Sequence, residues 1–203
     1  MKRPASWNQV ETTLWASILF VVSSACAMLT YTGGNPLRDE ARYAFGFNFL
    51  SDLGVKLPYS HTPQPLTNLF WAMALGSAAI ALTSYVQSLK GTQGSRLSAA
   101  LACLSLLGVG LLPSDVYFWP HRVALLAFLA SLITAFAFLS RTTKEHAPRI
   151  LLITCLFYLL FLLLGPRPET SLDARTVHVL AQKLMVGMVF ATLIATSARK
   201  LRS

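Results

Sequence analysis

The chain has 203 residues, of which 54% are hydrophobic and only 12% are charged. Its charged fraction is about half of the soluble average, and it contains six long apolar runs, so the composition excludes an ordinary soluble domain and predicts a membrane-embedded one. The net charge of +9 would favour nucleic acid binding in a soluble protein, but here the basic residues flank apolar runs. We therefore expect no nucleic acid partner.

The apolar runs predict six transmembrane helices in a single domain that covers residues 1–203. The fold class is therefore all-α, a polytopic six-helix bundle. Proline cannot continue a helix, and Pro113 follows the third run while Pro120 precedes the fourth. Ser171 is the expected N-cap of the sixth helix. The expected bounds of the helices are 9–31, 66–89, 97–112, 121–140, 150–164 and 172–198.

The longest connection lies between the first two helices and contains the segment Gly46-Phe47-Asn48-Phe49-Leu50-Ser51-Asp52-Leu53-Gly54. Asn35-Pro36 is typical of a helix start and Gly54 of a helix stop, so the sequence predicts an interfacial helix between them. The i, i+3, i+4 spacing would place Asn48, Ser51 and Asp52 on one face. We expect this polar face to form the floor of a polar pocket.

The distribution of basic residues predicts the orientation in the membrane. Of the 17 lysines and arginines, ten fall on the side of the two termini and seven on the side of the first connection. Because basic residues accumulate on the cytoplasmic side, both termini should be cytoplasmic and the polar pocket extracytoplasmic. The absence of short alternating strand patterns indicates an inner (plasma) membrane.

Polar residues near the outer helix ends are the candidates for ligand contact. Lys183 lies within the sixth apolar run, one position after Gln182 and about 7–8 Å deeper than His178. An ammonium group at that depth usually has a partner, so we expect it to pair with Asp52 or Asp115. The first function prediction is therefore a non-catalytic membrane protein whose polar pocket binds a lipid headgroup or a membrane partner. The predicted ligand-binding set comprises Asn48, Ser51, Asp52, Arg122, Gln182 and Lys183.

A second interpretation is an enzyme. Asp115, His121 and His178 have the side-chain types that bind a divalent metal such as zinc, with Asp52 as a fourth ligand or a general base. Such a metal would activate water or a carbonyl, so the alternative function is a metal-dependent hydrolase or acyl-transfer enzyme acting on lipid esters or amides. The catalytic set would be Asp52, Asp115, His121 and His178. The third interpretation is a structural network, in which the two aspartates accept hydrogen bonds from Lys183, Arg122 and backbone N–H groups.

The Asn48-Phe49-Leu50-Ser51-Asp52-Leu53-Gly54 box after the first helix, and Leu112-Pro113-Ser114-Asp115 leading to His121, carry a family resemblance. The chain resembles, over nearly its whole length, an uncharacterised bacterial family of six-helix membrane proteins that is similar in pattern to the Frag/DRAM/Sfk group. Members of that wider group are associated with membrane lipid organisation and, in one branch, with lipid remodelling of anchored proteins. The resemblance implies membrane lipids, or another membrane protein, as partners.

Overall fold

The computed structural model describes residues 5–34, 42–55, 62–114, 116–166 and 171–202. All six helices are long and apolar enough to cross a membrane. The predicted all-α, six-helix fold class is therefore confirmed. The helices are α1 (Ala5–Thr30), α2 (Pro65–Ser88), α3 (Gln93–Leu111), α4 (Phe118–Thr142), α5 (Ala147–Leu164) and α6 (Leu172–Arg202).

Several helices extend beyond their apolar runs, because polar residues at the membrane surface continue or cap them. α3 begins at Gln93, four residues before the predicted start, and the Thr92 side chain accepts a hydrogen bond from the backbone of Ser95. α6 begins as predicted, and the Ser171 hydroxyl accepts from the Ala174 N–H at 3.1 Å. Both contacts satisfy N–H groups that the first turn of a helix leaves without a partner.

The six helices form a closed ring. Each helix packs mainly against its neighbours in the chain, and α6 returns to pack against α1. The contact between α1 and α2 is the most extensive, and the fully buried Ala27, Ala74 and Ala81 belong to this pair of helices. Small side chains allow helices to approach closely where lipid offers no hydrophobic drive for association.

One end of the ring carries the C-terminus of α6 and the turn between α4 and α5. There Lys200 Nζ and Glu145 Oε1 are 2.6 Å apart. An ion pair at this partly exposed position adds little stability, but it identifies the end of the ring at which the C-terminus lies.

The first connection, at the opposite end, does not form the predicted long helix within the described residues. Residues 42–49 make bends and turns, and a short 3₁₀ helix, η1, covers Leu50–Gly54. Asn48 Oδ1 accepts from the Ala44 N–H and Asp52 Oδ2 accepts from the Phe49 N–H, each at 2.9 Å. Such side-chain bonds to nearby backbone compete with helix formation. The predicted helix start, Asn35-Pro36, lies outside the described residues.

The short helix η1 lies across this end of the ring, because it contacts α2, α3 and α6 together. Its apolar side chains, Leu50 and Leu53, are buried, and so is Val55 directly after it. We refer to residues 42–55 as the cap.

Candidate functional site

Two polar side chains of α6 bind the backbone of the cap. Arg175 Nε donates to the Phe47 carbonyl at 2.9 Å, and Gln182 Oε1 accepts from the Leu50 N–H at 2.8 Å. The two α6 residues are seven apart and therefore lie on one helix face, two turns from each other. Because the cap has little regular structure of its own, α6 provides partners for backbone groups that a longer helix would have paired internally.

Lys183 also binds the cap, and its hydrogen bonds go to backbone carbonyls. Its ammonium group donates to the carbonyls of Phe45 and Asn48, the second at 2.8 Å, and lies over the rings of Phe45 and Tyr43 at 4.1 and 4.8 Å from their centroids. Among the described residues Lys183 makes no hydrogen bond to Asp52, although the opposite charges of the two groups attract each other. Asp115 lies outside the described residues, so a pair with it stays a prediction. Two carbonyl oxygens and two aromatic faces also stabilise the buried cation.

The Asp52 carboxylate pairs with Arg175. Its Oδ2 atom lies 3.4 Å from Arg175 Nη2 and also accepts from the Phe49 N–H and from the Asn48 amide. Burial raises the pKa of the Asp52 carboxyl above its ordinary value, although the guanidinium and these donors favour the charged form. The cap therefore holds a buried acid whose charge depends strongly on Arg175.

Asn48 connects the cap to the chain that follows α1. The side chain is fully buried, and its Nδ2 donates to the Gly34 carbonyl at 2.9 Å while its Oδ1 accepts from the Ala44 N–H. The Tyr31 hydroxyl donates to the same Gly34 carbonyl. Asn48 thus uses both ends of its amide to position the cap.

The start of α2 holds the other side of the cap. Gln64 Nε2 donates to the Val55 carbonyl at 2.8 Å, and the Asn68 amide, in the orientation that suits its neighbours, donates to the carbonyls of Leu53 and Val55. Gly54 lies so close to Trp71 that an added Cβ would be 2.9 Å from the indole. The cap is therefore fixed between α2 and α6.

An apolar cavity of about 80 Å³ lies in the ring beneath the cap. By the same measure a single water needs only about 10–15 Å³. Leu50 and Ser51 of the cap contribute to its lining, so the predicted common face is wrong: Asn48 and Asp52 turn towards each other, whereas Ser51 faces the cavity. All six helices supply the remaining walls, with Phe20, Trp71, Leu75, Ala78, Leu82, Leu106, Val109, Leu125, Phe128, Leu132, Tyr158, Gln182, Met185, Val186, Val189 and Phe190.

The two histidines of the predicted metal site bond different loop carbonyls. His121 Nδ1 lies 2.7 Å from the Leu112 carbonyl, and His178 Nε2 bonds the Pro166 carbonyl. Within the ranges that the structure describes, no group of three His, Cys, Asp or Glu side chains is placed to hold a metal. Asp115 lies outside those ranges, so the set of Asp115, His121 and His178, and the catalytic role built on it, stays a prediction.

Arg122 lies at the start of α4 among aromatic side chains. Its guanidinium stacks on the ring of Phe118 at 4.2 Å and lies 5.9 Å from the ring centroid of Trp119. Both rings are substantially exposed. This arrangement is typical of the aromatic belt at a membrane surface, away from the cap contacts of α6.

Sequence reasoning did not include Arg175 in the site, although a signal for it exists. Arg175 precedes Gln182 by seven residues and Lys183 by eight, so the helical repeat places all three on one face. The sequence places Arg175 on this face, but its contacts with Phe47 and Asp52 are seen only in the folded structure.

Six spanning helices, closed into a ring and capped by the first connection, define a multi-pass integral membrane protein. No protein family, curated protein or solved structure matches this chain. A function must therefore be argued from the cap and the cavity themselves, because a fold alone does not specify one.

Proposed function

We propose that this protein binds a membrane lipid from the leaflet on the side of the cap, with part of an acyl chain inside the capped cavity. The observation that supports this proposal is the cavity itself, which has walls from all six helices and an almost wholly apolar lining. Apolar cavities of this kind exclude water and accept apolar ligands.

The lining also gives a route of entry from the bilayer. The cavity is partly open, and three of its apolar lining side chains are only half-buried: Leu125 and Phe128 of α4 and Val186 of α6. An acyl chain that enters on this side remains in an apolar environment throughout. The cap closes the end of the cavity towards the membrane surface, so the proposed ligand comes from the bilayer and not from water.

Filling the cavity should abolish lipid binding. Ala78 is a buried lining residue of α2, and Ala78→Phe places a ring in the space that the acyl chain would occupy. We expect labelling by a phosphatidylglycerol with a diazirine in its acyl chain to fall at least about tenfold, which corresponds to roughly 1.4 kcal/mol. Labelling of the purified protein in vesicles, followed by peptide mapping, measures this.

The matched control is Ala72→Phe, because Ala72 lies on the same helix but is exposed on the outside of the ring. It should label like the parent, with adducts on the cavity-lining peptides of α2, α4 and α6. Thermal unfolding of both variants separates lost binding from lost folding. Equal labelling of Ala78→Phe and the parent would overturn the proposal.

We further propose that both termini lie in the cytoplasm and that the membrane is the inner (plasma) membrane. The excess of basic residues near the termini supports this orientation, and so does the even number of helices. The cap and the cavity mouth would then face the extracytoplasmic leaflet.

Reporter fusions test the orientation. Fusions after Gln93, Glu145 and Ser203 should give fluorescent green fluorescent protein and inactive alkaline phosphatase, whereas a fusion after Thr62 should give the opposite pair. A cytoplasmic result at Thr62 would contradict the proposed topology.

A further inference from the structure

We propose that the cavity binds the ester carbonyl of its lipid through two neutral hydrogen-bond donors, the Tyr158 hydroxyl and the Gln182 side-chain amide. This inference rests on the proposed function and specifies its ligand as an ester-linked lipid. Both residues line the same cavity, and with the indole N–H of Trp71 they are the hydrogen-bonding side chains of its helical walls.

The hydroxyl of Tyr158 is the first donor. The residue is only 3% exposed and lines the cavity from α5. Among the residues that the structure describes, its hydroxyl has no hydrogen-bond partner. A hydroxyl group without a partner in the protein can donate to an acceptor on a ligand.

The amide of Gln182 is the second donor. The residue is 7% exposed, and its Oε1 atom accepts from the Leu50 N–H at 2.8 Å. This contact fixes the orientation of the amide, so the other end of the group is the NH₂ donor. No described residue takes a hydrogen bond from that nitrogen.

Tyr158 and Gln182 have similar positions along two neighbouring helices. The rings of Phe161 on α5 and His178 on α6 are in contact, with centroids 4.7 Å apart. This contact serves as a common reference point along the two helices. Tyr158 is three residues from Phe161 and Gln182 is four residues from His178, both in the direction away from the cap end of the ring. At 1.5 Å per residue these backbone offsets are about 4.5 and about 6 Å, so the two residues differ by only about 1.5 Å in their distance along the helices from this contact.

This geometry favours an uncharged carbonyl oxygen over other polar groups. Both groups donate, neither is charged, and the space around them is apolar, so a neutral acceptor attached to hydrocarbon fits best. In a glycerolipid the ester carbonyls lie where the acyl chains begin, just below the headgroup. Gln182 occupies the corresponding level, because it binds the cap at Leu50 and lines the cavity beneath it.

The test compares ester-linked phosphatidylglycerol with its ether-linked analogue of equal chain length, each as a competitor of the diazirine probe. The ether lacks the carbonyl oxygen, so we expect the parent protein to bind the ester about 3- to 10-fold more tightly, the effect of one or two hydrogen bonds. Tyr158→Phe should reduce ester binding by a similar factor and leave ether binding unchanged.

The matched control is Tyr85→Phe, because the Tyr85 hydroxyl is also buried without a described partner but does not line the cavity. It should keep the preference of the parent for the ester. Equal binding of both lipids by the parent, or equal weakening of both by Tyr158→Phe, would overturn this inference while leaving the proposed function intact. Binding of neither lipid by the parent would instead overturn the proposed function.

Discussion

Replacing Arg175 with methionine is expected to lower the free energy of unfolding by about 3–5 kcal/mol, the cost of removing one partner of a buried ion pair. Methionine retains much of the apolar stem, but it leaves the Asp52 carboxylate without its guanidinium partner and the Phe47 carbonyl without its donor. Reversible denaturation in detergent, or thermal unfolding followed by tryptophan fluorescence, measures the loss.

A double-mutant cycle assigns this effect to the pair. Adding Asp52→Asn to Arg175→Met removes the orphaned charge, so the double variant should recover part of the lost stability. Arg199→Met is the control, because Arg199 is an exposed arginine on the same helix, and it should be neutral within about 0.5 kcal/mol. An Arg175→Met protein as stable as the control would show that the cap does not depend on this pair.

The loss in Arg175→Met should also depend on pH. Burial already raises the pKa of Asp52, and removing the guanidinium raises it further. A carboxyl with a raised pKa in the folded state contributes stability at low pH and loses it as the pH rises through that pKa. The deficit relative to the parent should therefore be smaller at about pH 5 than at about pH 8. A deficit that grew on acidification would contradict this account of Asp52.

The second large effect is expected for Lys183→Met, at about 3–6 kcal/mol. The ammonium group makes two charge-assisted hydrogen bonds to the carbonyls of Phe45 and Asn48, and such bonds contribute about 1.5–3 kcal/mol each. Methionine packs against Tyr43 and Phe45 but leaves both carbonyls without this donor. If the Lys183 side chain only extended past lipid to the membrane surface, methionine would replace it without loss of stability, because the lysine stem already packs as an apolar chain.

The partner of Lys183 distinguishes this prediction from the first one. Because Lys183 binds carbonyls, Asp52→Asn should rescue Lys183→Met less than it rescues Arg175→Met. Lys144→Met, at an exposed lysine in the turn between α4 and α5, is the control and should be neutral. Equal rescue of both variants would identify Asp52 as the true partner of Lys183, as the sequence suggested.

Local properties of the sequence were enough to predict the helices. Apolar length, flanking basic residues and proline positions specified six spans, since a membrane requires about 20 apolar residues with internally satisfied backbone. The predicted N-cap at Ser171 was also confirmed, because capping is a local contact between residues three apart in the sequence. The burial of Lys183 also followed from its position within an apolar run, without any knowledge of its contacts.

The contacts between distant segments were decided only by the tertiary structure. Asn48 and Asp52 bond the backbone of the cap, and Arg175, Gln182 and Lys183 of α6, more than 120 positions away, complete it. Local sequence preferences cannot predict whether Arg175 or Lys183 pairs with Asp52, because the pairing depends on the position of the cap over the ring of helices. The sequence by itself determined that the polar groups lie at one end of the bundle. Packing of the cap against α2 and α6 decided that they bind one another and enclose an apolar cavity.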